Sequence, residues 1–258
     1  MVDAEGPTWG TVDPAELRRL VVVSPHFDDA AMGAGLLLCH HATTAATTVV
    51  TVMGGPPAAY PDPPTAWDAA GGFRSGDDVV ARRREEDRRA LAVLGAEPVW
   101  LPFVDHQYLP RAERAAPAVV AARLEEAIVA AEATAVFFPM GLANPDHVVT
   151  HEAARLLVEG HRERAWFCYE DHGYKHLPGL LAWRVARLLR SGLWPTPAMV
   201  PVAADPSRKR RAIACYQSQI APLERDHALA ARLEANVAEQ FWRLAPPPRG
   251  WEGLAADR

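Results

Sequence analysis

The chain has 258 residues, a formal net charge of −5, 49% apolar positions and 23% charged ones, values that support a full hydrophobic core and exclude a disordered or fibrous protein. An acidic balance gives no general attraction for a nucleic-acid backbone or anionic lipid, so neither nucleic acid nor a membrane is expected as a partner. The length suits one large α/β domain spanning residues 1–258.

The opening segment, from Met1 through Glu5 to Asp13, carries acids and lacks the apolar core of a secretory signal, and no stretch is apolar for long enough to cross a bilayer. The expected location is the cytoplasm. Cys39, Cys168 and Cys215 are widely separated and form no C-x-x-C, which argues against a disulfide framework and a thiolate zinc site.

Residues 20–24 (LVVVS) are short, β-branched and apolar on both faces, the pattern of a strand buried in a parallel sheet. Similar runs at 48–53, 98–102, 135–139 and 165–169 alternate with helical patterns at 30–41, 77–94, 116–133 and 146–159. This succession predicts an α/β fold of three layers, Rossmann-like, with a mostly parallel sheet of about five or more strands and helices on both faces. The helix from Asp77 should stop at Gly95, and the basic run from Arg82 to Arg84 reads as surface charge paired with Glu85, Glu86 and Asp87. The Gly- and Pro-rich segment at 54–76 is too long for a simple connection. After about residue 173 a helix at 180–190, an extended PAMVPVA segment and helices at 206–219 and 223–239 read as additions to the same domain.

Ligands of open α/β sheets bind beyond the carboxyl ends of the strands. There the sequence places His26-Phe27-Asp28-Asp29, then Asp105-His106, then Asn144-Pro145-Asp146-His147, then Glu170-Asp171-His172. A catalytic zinc takes about three His or carboxylate ligands and keeps a position for water; His26, Asp29 and His147 supply that number, with Asp28 beside the water as base. Asp28 and Asp29 equally suit the cap of the helix that follows, and His147 a helix start capped by Asp146. His147 and His151 have the spacing of a zinc metalloprotease helix, but Val148 stands where that motif needs Glu. Gly33 and Gly35 fall inside a helix, where they permit close packing rather than dinucleotide binding. His106 and His172 remain pocket candidates by their strand-end position.

His26-x-Asp28-Asp29 after the first strand and Asp146-His147 after the fourth resemble the PIG-L/LmbE family of zinc N-deacetylases, as do Arg83-x-x-Glu86, the Leu94-Gly95 helix end, Tyr169-Glu170-Asp171 and the late Cys-Tyr-Gln-Ser-Gln at 215–219. The resemblance implies His26, Asp29 and His147 as ligands of one zinc per chain, with Fe²⁺ or Co²⁺ able to replace it. It implies Asp28 as general base and an acylated amine or amino sugar as the small-molecule partner. Two positions depart from the pattern: Ala30 stands where many members have Glu, and Asn144 where many have an oxyanion-stabilising His. An asparagine amide can donate to an oxyanion, so Asn144 joins Asp28 as a catalytic candidate, while Asp146 would orient that histidine or cap the helix. Arg83, Asp105 and His106 are candidates for binding substrate, Arg83 being equally suited to an exposed pairing with Asp87. A homo-oligomer is compatible with the sequence.

Two rival readings stay open. Paired acids after the first strand also bind Mg²⁺ in receiver modules, with Asp105 as phosphate acceptor and Lys175 as partner, although such modules are about half this length. Ala30 and Asn144 would also fit a family member that binds metal without catalysis.

Overall fold

The computed structural model describes residues 10–203, 205–235, 238–247 and 250. Most of the acidic opening segment, residues 1–9, lies outside the described residues, as do positions 236 and 237 of the expected last helix.

Strand β1 (Arg19–Ser24) is central, because its three valines are fully buried and serve both faces of the sheet. Val22 joins one apolar cluster with Leu20, and Val21 and Val23 join the other. Such side chains contribute about 1.5–3 kcal/mol each on full burial. From β1 the chain passes through α1 (Asp29–His41) to β2 (Ala46–Thr51), then through α2 (Ala66–Ala70) and α3 (Val79–Leu94) to β3 (Glu97–Trp100). It returns through α4 (Pro117–Ala130) to β4 (Ala135–Pro139), and through α5 (Pro145–Val158) to β5 (Ala165–Tyr169). The remainder comprises α6 (Leu180–Arg190), β6 (Trp194–Ala198), α7 (Pro206–Ile213), α8 (Gln217–His227), α9 (Leu229–Ala235) and β7 (Phe241–Ala245).

The strands form one seven-stranded sheet in the order β3-β2-β1-β4-β5-β7-β6. The first five are parallel, and β7 runs antiparallel to both β5 and β6. The α/β expectation is therefore met, with two antiparallel strands added. Residues of α1, α3 and α7 cover one face with Leu20, Val22 and Phe137; residues of α4 and α5 cover the other with Val21, Val23 and Phe138. Strand order reverses direction between β1 and β4, opening the crevice in which ligands of such sheets bind.

Several local expectations change. The helix after the long loop starts later than residue 77: Asp78 caps it through Ala81 N, and Gly95 ends it at φ +80° with its N–H on Leu91 O. Its basic run is self-paired only in part: Arg82 reaches Glu86 at 3.8 Å, but Arg83, Glu86 and Asp87 are buried at 4%, 1% and 0% exposure. Arg83 pairs with Asp68 at 2.9 Å rather than with Asp87, and Asp87 accepts instead from Trp100 Nε1 and Tyr216 Oη. The expected helix at 206–219 breaks after Ile213, and the next helix begins at Gln217. Tertiary bonds fix that break, because Tyr216 is tied to Asp87 and Ser218 donates through N and Oγ to Glu86 at 3.0 and 2.7 Å. Among the described residues no helix is long and apolar enough to cross a membrane.

Candidate active site

The turn after β1 is shaped by Ser24, whose hydroxyl oxygen accepts from Ala30 N at 2.9 Å at the start of α1. Asp28, at the N-cap position, makes no capping bond. The capping role suggested by the sequence thus falls to Ser24, and both aspartates are free for the crevice. Asp29 Oδ2 accepts from His26 N at 2.9 Å and lies 3.2 Å from both His26 Nδ1 and His147 Nε2. One ligand atom each from His26, Asp29 and His147 falls within 4.8 Å of the others, a spacing suited to one metal ion.

At the start of α5 the cap is Asn144, whose Oδ1 accepts from Asp146 N at 2.8 Å. Asp146 turns its side chain inward, where Oδ2 meets His26 Nε2 at 2.9 Å and His106 Nδ1 at 2.8 Å and accepts from His106 N at 3.0 Å. His147 Nδ1 is held by Asp171 after β5. Each candidate ligand histidine therefore rests one ring nitrogen on a carboxylate and turns the other toward Asp29, the arrangement that fixes tautomer and ring orientation at metal sites. His151 donates from Nδ1 to Pro139 O at 2.9 Å, so its spacing from His147 is structural.

Asp28 is 5% exposed, and its Oδ1 accepts from Gln219 Nε2 at 3.0 Å. Burial, aided by the negative charge of Asp29 and opposed by His26, raises its pKa to about 7. Burial would raise Asp29 too, but His147 and His26 hold it well below the usual carboxylate range. Burial opposes protonation of His147, yet Asp29 and Asp171 outweigh it and lift the imidazole to about 9. Carboxylates that pull protons onto two facing imidazoles would equally attract a divalent cation. The donor set, with an aligned carboxylate behind each histidine, fits zinc.

These groups line a cavity of about 300 Å³ that also takes in Asp105, His106, Asn144 and His172. Trp67 from the long loop, Met32, Leu223 and Leu229 supply apolar surface. The structure thus brings His26, Asp28, Asp29, Asp105, His106, Asn144 and His147 together. Arg83 is not on this cavity and borders a separate small crevice with His26, Asp105 and Gln219. Lys175 pairs with Glu170 at 3.4 Å, so the receiver arrangement of Lys175 with Asp105 is not formed.

Three contributors escaped the residue-by-residue reading. Asp171 stood at a strand end but was given no role, Gln219 lay inside a segment noted for its resemblance, and Tyr174, whose ring meets His147 edge-on at 5.2 Å, carried no motif. Asp68 and Glu86 were hidden because charged residues at helical spacing ordinarily face solvent.

The family model described as GlcNAc-PI de-N-acetylase (PIG-L) matches residues 21–158. No curated protein matches the sequence. Among solved structures, the A40926 pseudoaglycone deacetylase is 25% identical with a TM-score of 0.72, over 89% of this chain and 98% of that one. A triple mutant of a deacetylase of the teicoplanin biosynthetic pathway is 25% identical with a TM-score of 0.71, over 90% of this chain and 100% of the other. The zinc-inhibited form of teicoplanin deacetylase shares the fold at 23% identity and a TM-score of 0.72, over 90% and 100% of the two chains.

Proposed function

The chain belongs to the PIG-L family of de-N-acetylases, and from that premise we propose that it hydrolyses the N-acyl bond, most simply N-acetyl, of an amino sugar carried on a larger metabolite. The observation that carries this reading is the convergence of His26, Asp29 and His147 beside Asp28, a buried carboxylate held by Gln219. The similarity to an A40926 pseudoaglycone deacetylase and to a deacetylase of the teicoplanin biosynthetic pathway supports this reading, and the apolar wall of Trp67, Leu223 and Leu229 beside a charged floor suits an acyl group presented by a bulky scaffold.

His26 Nδ1, Asp29 Oδ2 and His147 Nε2 would hold one zinc ion, for which Fe²⁺ or Co²⁺ could substitute. When bound, the metal acidifies a water molecule and polarises the acyl carbonyl. Asp28 takes the proton of the attacking water and passes it to the departing amine, a role worth roughly 10²- to 10⁴-fold in rate. Gln219 fixes the carboxylate for both transfers. Asn144 has spent its carbonyl on the helix cap, and its Nδ2 donates to Tyr174 Oη at 3.4 Å. Asp105 orients the loop at residues 105–108 by accepting from Gln107 N at 3.0 Å. Arg83 acts at one remove by holding Asp68, which also accepts from Tyr108 Oη.

The test is metal content by mass spectrometry of the purified protein beside His26→Ala and His147→Ala, followed by an assay of amine release from N-acetylglucosamine derivatives. About one zinc per chain, lost in both variants together with amine release, is the expected result. Equal metal in all three proteins would overturn the ligand assignment.

A further inference from the structure

Amide hydrolysis places a negative charge on the acyl oxygen when water adds to the carbonyl carbon, and a preorganised donor aimed at that oxygen commonly gives the largest single rate contribution. Several residues facing the cavity carry such donors, but Gln107 is committed to Asp105, Gln219 to Asp28 and Arg232 to Gly173 O. Asn144 has its carbonyl committed to the cap and its amide nitrogen near a tyrosine hydroxyl. His26 and His147 have both ring nitrogens turned to carboxylates.

His106 differs from both. Its Nδ1 sits 2.8 Å from Asp146 Oδ2 and 3.3 Å from Asp105 Oδ1, and its backbone N–H donates to the same Asp146 oxygen. Two carboxylates and a main-chain bond therefore fix the ring while one edge stays in the cavity, its side chain 28% exposed. No described protein group is paired with its Nε2. Asp146 Oδ2 also meets His26 Nε2 at 2.9 Å, so a single carboxylate oxygen sets His106 relative to the candidate metal ligand.

We propose that His106 is the oxyanion donor of this enzyme: its Nε2–H, directed by Asp146 and Asp105, hydrogen-bonds the acyl oxygen as negative charge develops there. This inference rests on the deacetylase reading above. In the step, the water oxygen bonds to the acyl carbon, the carbonyl π pair moves onto the acyl oxygen, and His106 keeps its proton. When the carbon–nitrogen bond breaks, the amine leaves with the proton held by Asp28 and the carbonyl re-forms. Hydrogen bonds to Asp105 and Asp146 outweigh burial and lift the His106 imidazole to about 9, consistent with a ring carrying both protons.

The same residues permit a rival arrangement, since ligand atoms of His26, Asp105, His106 and Asp146 also lie within 4.8 Å of one another and could hold a cation. His106→Ala and His106→Gln, both zinc-loaded, separate the two through two readouts. The first is turnover of an N-acetyl amino sugar, where loss of the donor should lower kcat roughly 10²- to 10³-fold with little change in KM, and Gln, a neutral donor, should recover part of it. The second is the affinity of the zinc-loaded protein for acetate by calorimetry. Acetate carries the negative oxygen itself, and its binding should weaken at least about tenfold in His106→Ala, a loss of about 1.4 kcal/mol. Unchanged kcat and acetate affinity would overturn the proposal, as would loss of a metal equivalent in His106→Ala or an effect confined to KM. Absence of amine release by the unsubstituted protein would count against the deacetylase reading, whereas release matched by His106→Ala would count against this inference alone.

Discussion

Gln219, in the first turn of α8, donates a 3.0 Å hydrogen bond to Asp28, at the mouth of β1. The glutamine is kept in place from α3, because Glu86 accepts both the N–H and the hydroxyl of the neighbouring Ser218. A buried carboxylate whose pKa rises through desolvation is thus steadied by a neutral donor, which favours the ionised form without adding charge.

Gln219→Leu removes that donor and leaves the burial of Asp28. A hydrogen bond to a charged group contributes about 1.5–3 kcal/mol, and a pKa unit corresponds to about 1.4 kcal/mol. The acidic limb of the kcat/KM profile should therefore move to higher pH by roughly one unit. An unmoved limb in the variant would show that Gln219 does not act on Asp28.

Asp171 holds His147 Nδ1 from behind. Asp171→Asn should weaken zinc binding by about 10- to 100-fold, as loss of a carboxylate behind a ligating histidine does elsewhere. Competition against a chelator of known affinity measures the change, and equal affinities in the two proteins would remove Asp171 from the site.

Gly33 lies against a fully buried tyrosine: a Cβ added there would meet Tyr169 Cδ2 at 2.5 Å, while Tyr169 Oη donates to Val23 O. Gly33→Ala should cost about 1–3 kcal/mol through overpacking. Gly160→Ala, whose Cβ would approach no nearer than 3.8 Å to Leu157 O, should lack that penalty. Denaturant midpoints of the two variants compare these costs directly.

His151 is fully buried and, through desolvation and then the charge of Arg184, has its pKa lowered to about 3. Between the ordinary histidine value of about 6.5 and that figure the unfolded chain binds the extra proton, so stability present above pH 6.5 is lost as pH falls, by up to about 1.4 kcal/mol per unit for this one group. The slope of unfolding free energy against pH over this window should shrink in His151→Gln. An unchanged slope would mean that His151 is not held neutral.

The sequence was most informative where burial was most complete. The first, fourth and fifth predicted apolar runs match the observed bounds or fall within a residue of them because β1, β4 and β5 are covered on both faces and leave few polar positions to confuse the pattern. β7 was missed, since Arg243 sits in its middle and reaches Glu16, which breaks the apolar run. β6 carries Pro195 and Pro197, residues that argue against a strand except at an edge, where it lies. In the site, residue types and strand ends pointed to His26, Asp28, Asp29 and His147, which the fold brings together. The surroundings were less legible because they depend on contacts between distant elements: nothing local distinguishes a Glu86 that binds Ser218 from a solvated helix glutamate.

The span from Asp28 to Gln219 also sets an order of assembly during synthesis. The two partners are 191 positions apart, which at about 5–20 residues per second is a delay of roughly 10–40 s on the ribosome. His147 emerges well before Gln219, so the candidate ligands His26, Asp29 and His147 are complete while the carboxylate beside them still lacks its support. A nascent chain of this design would have a candidate cation site before the carboxylate beside it is braced.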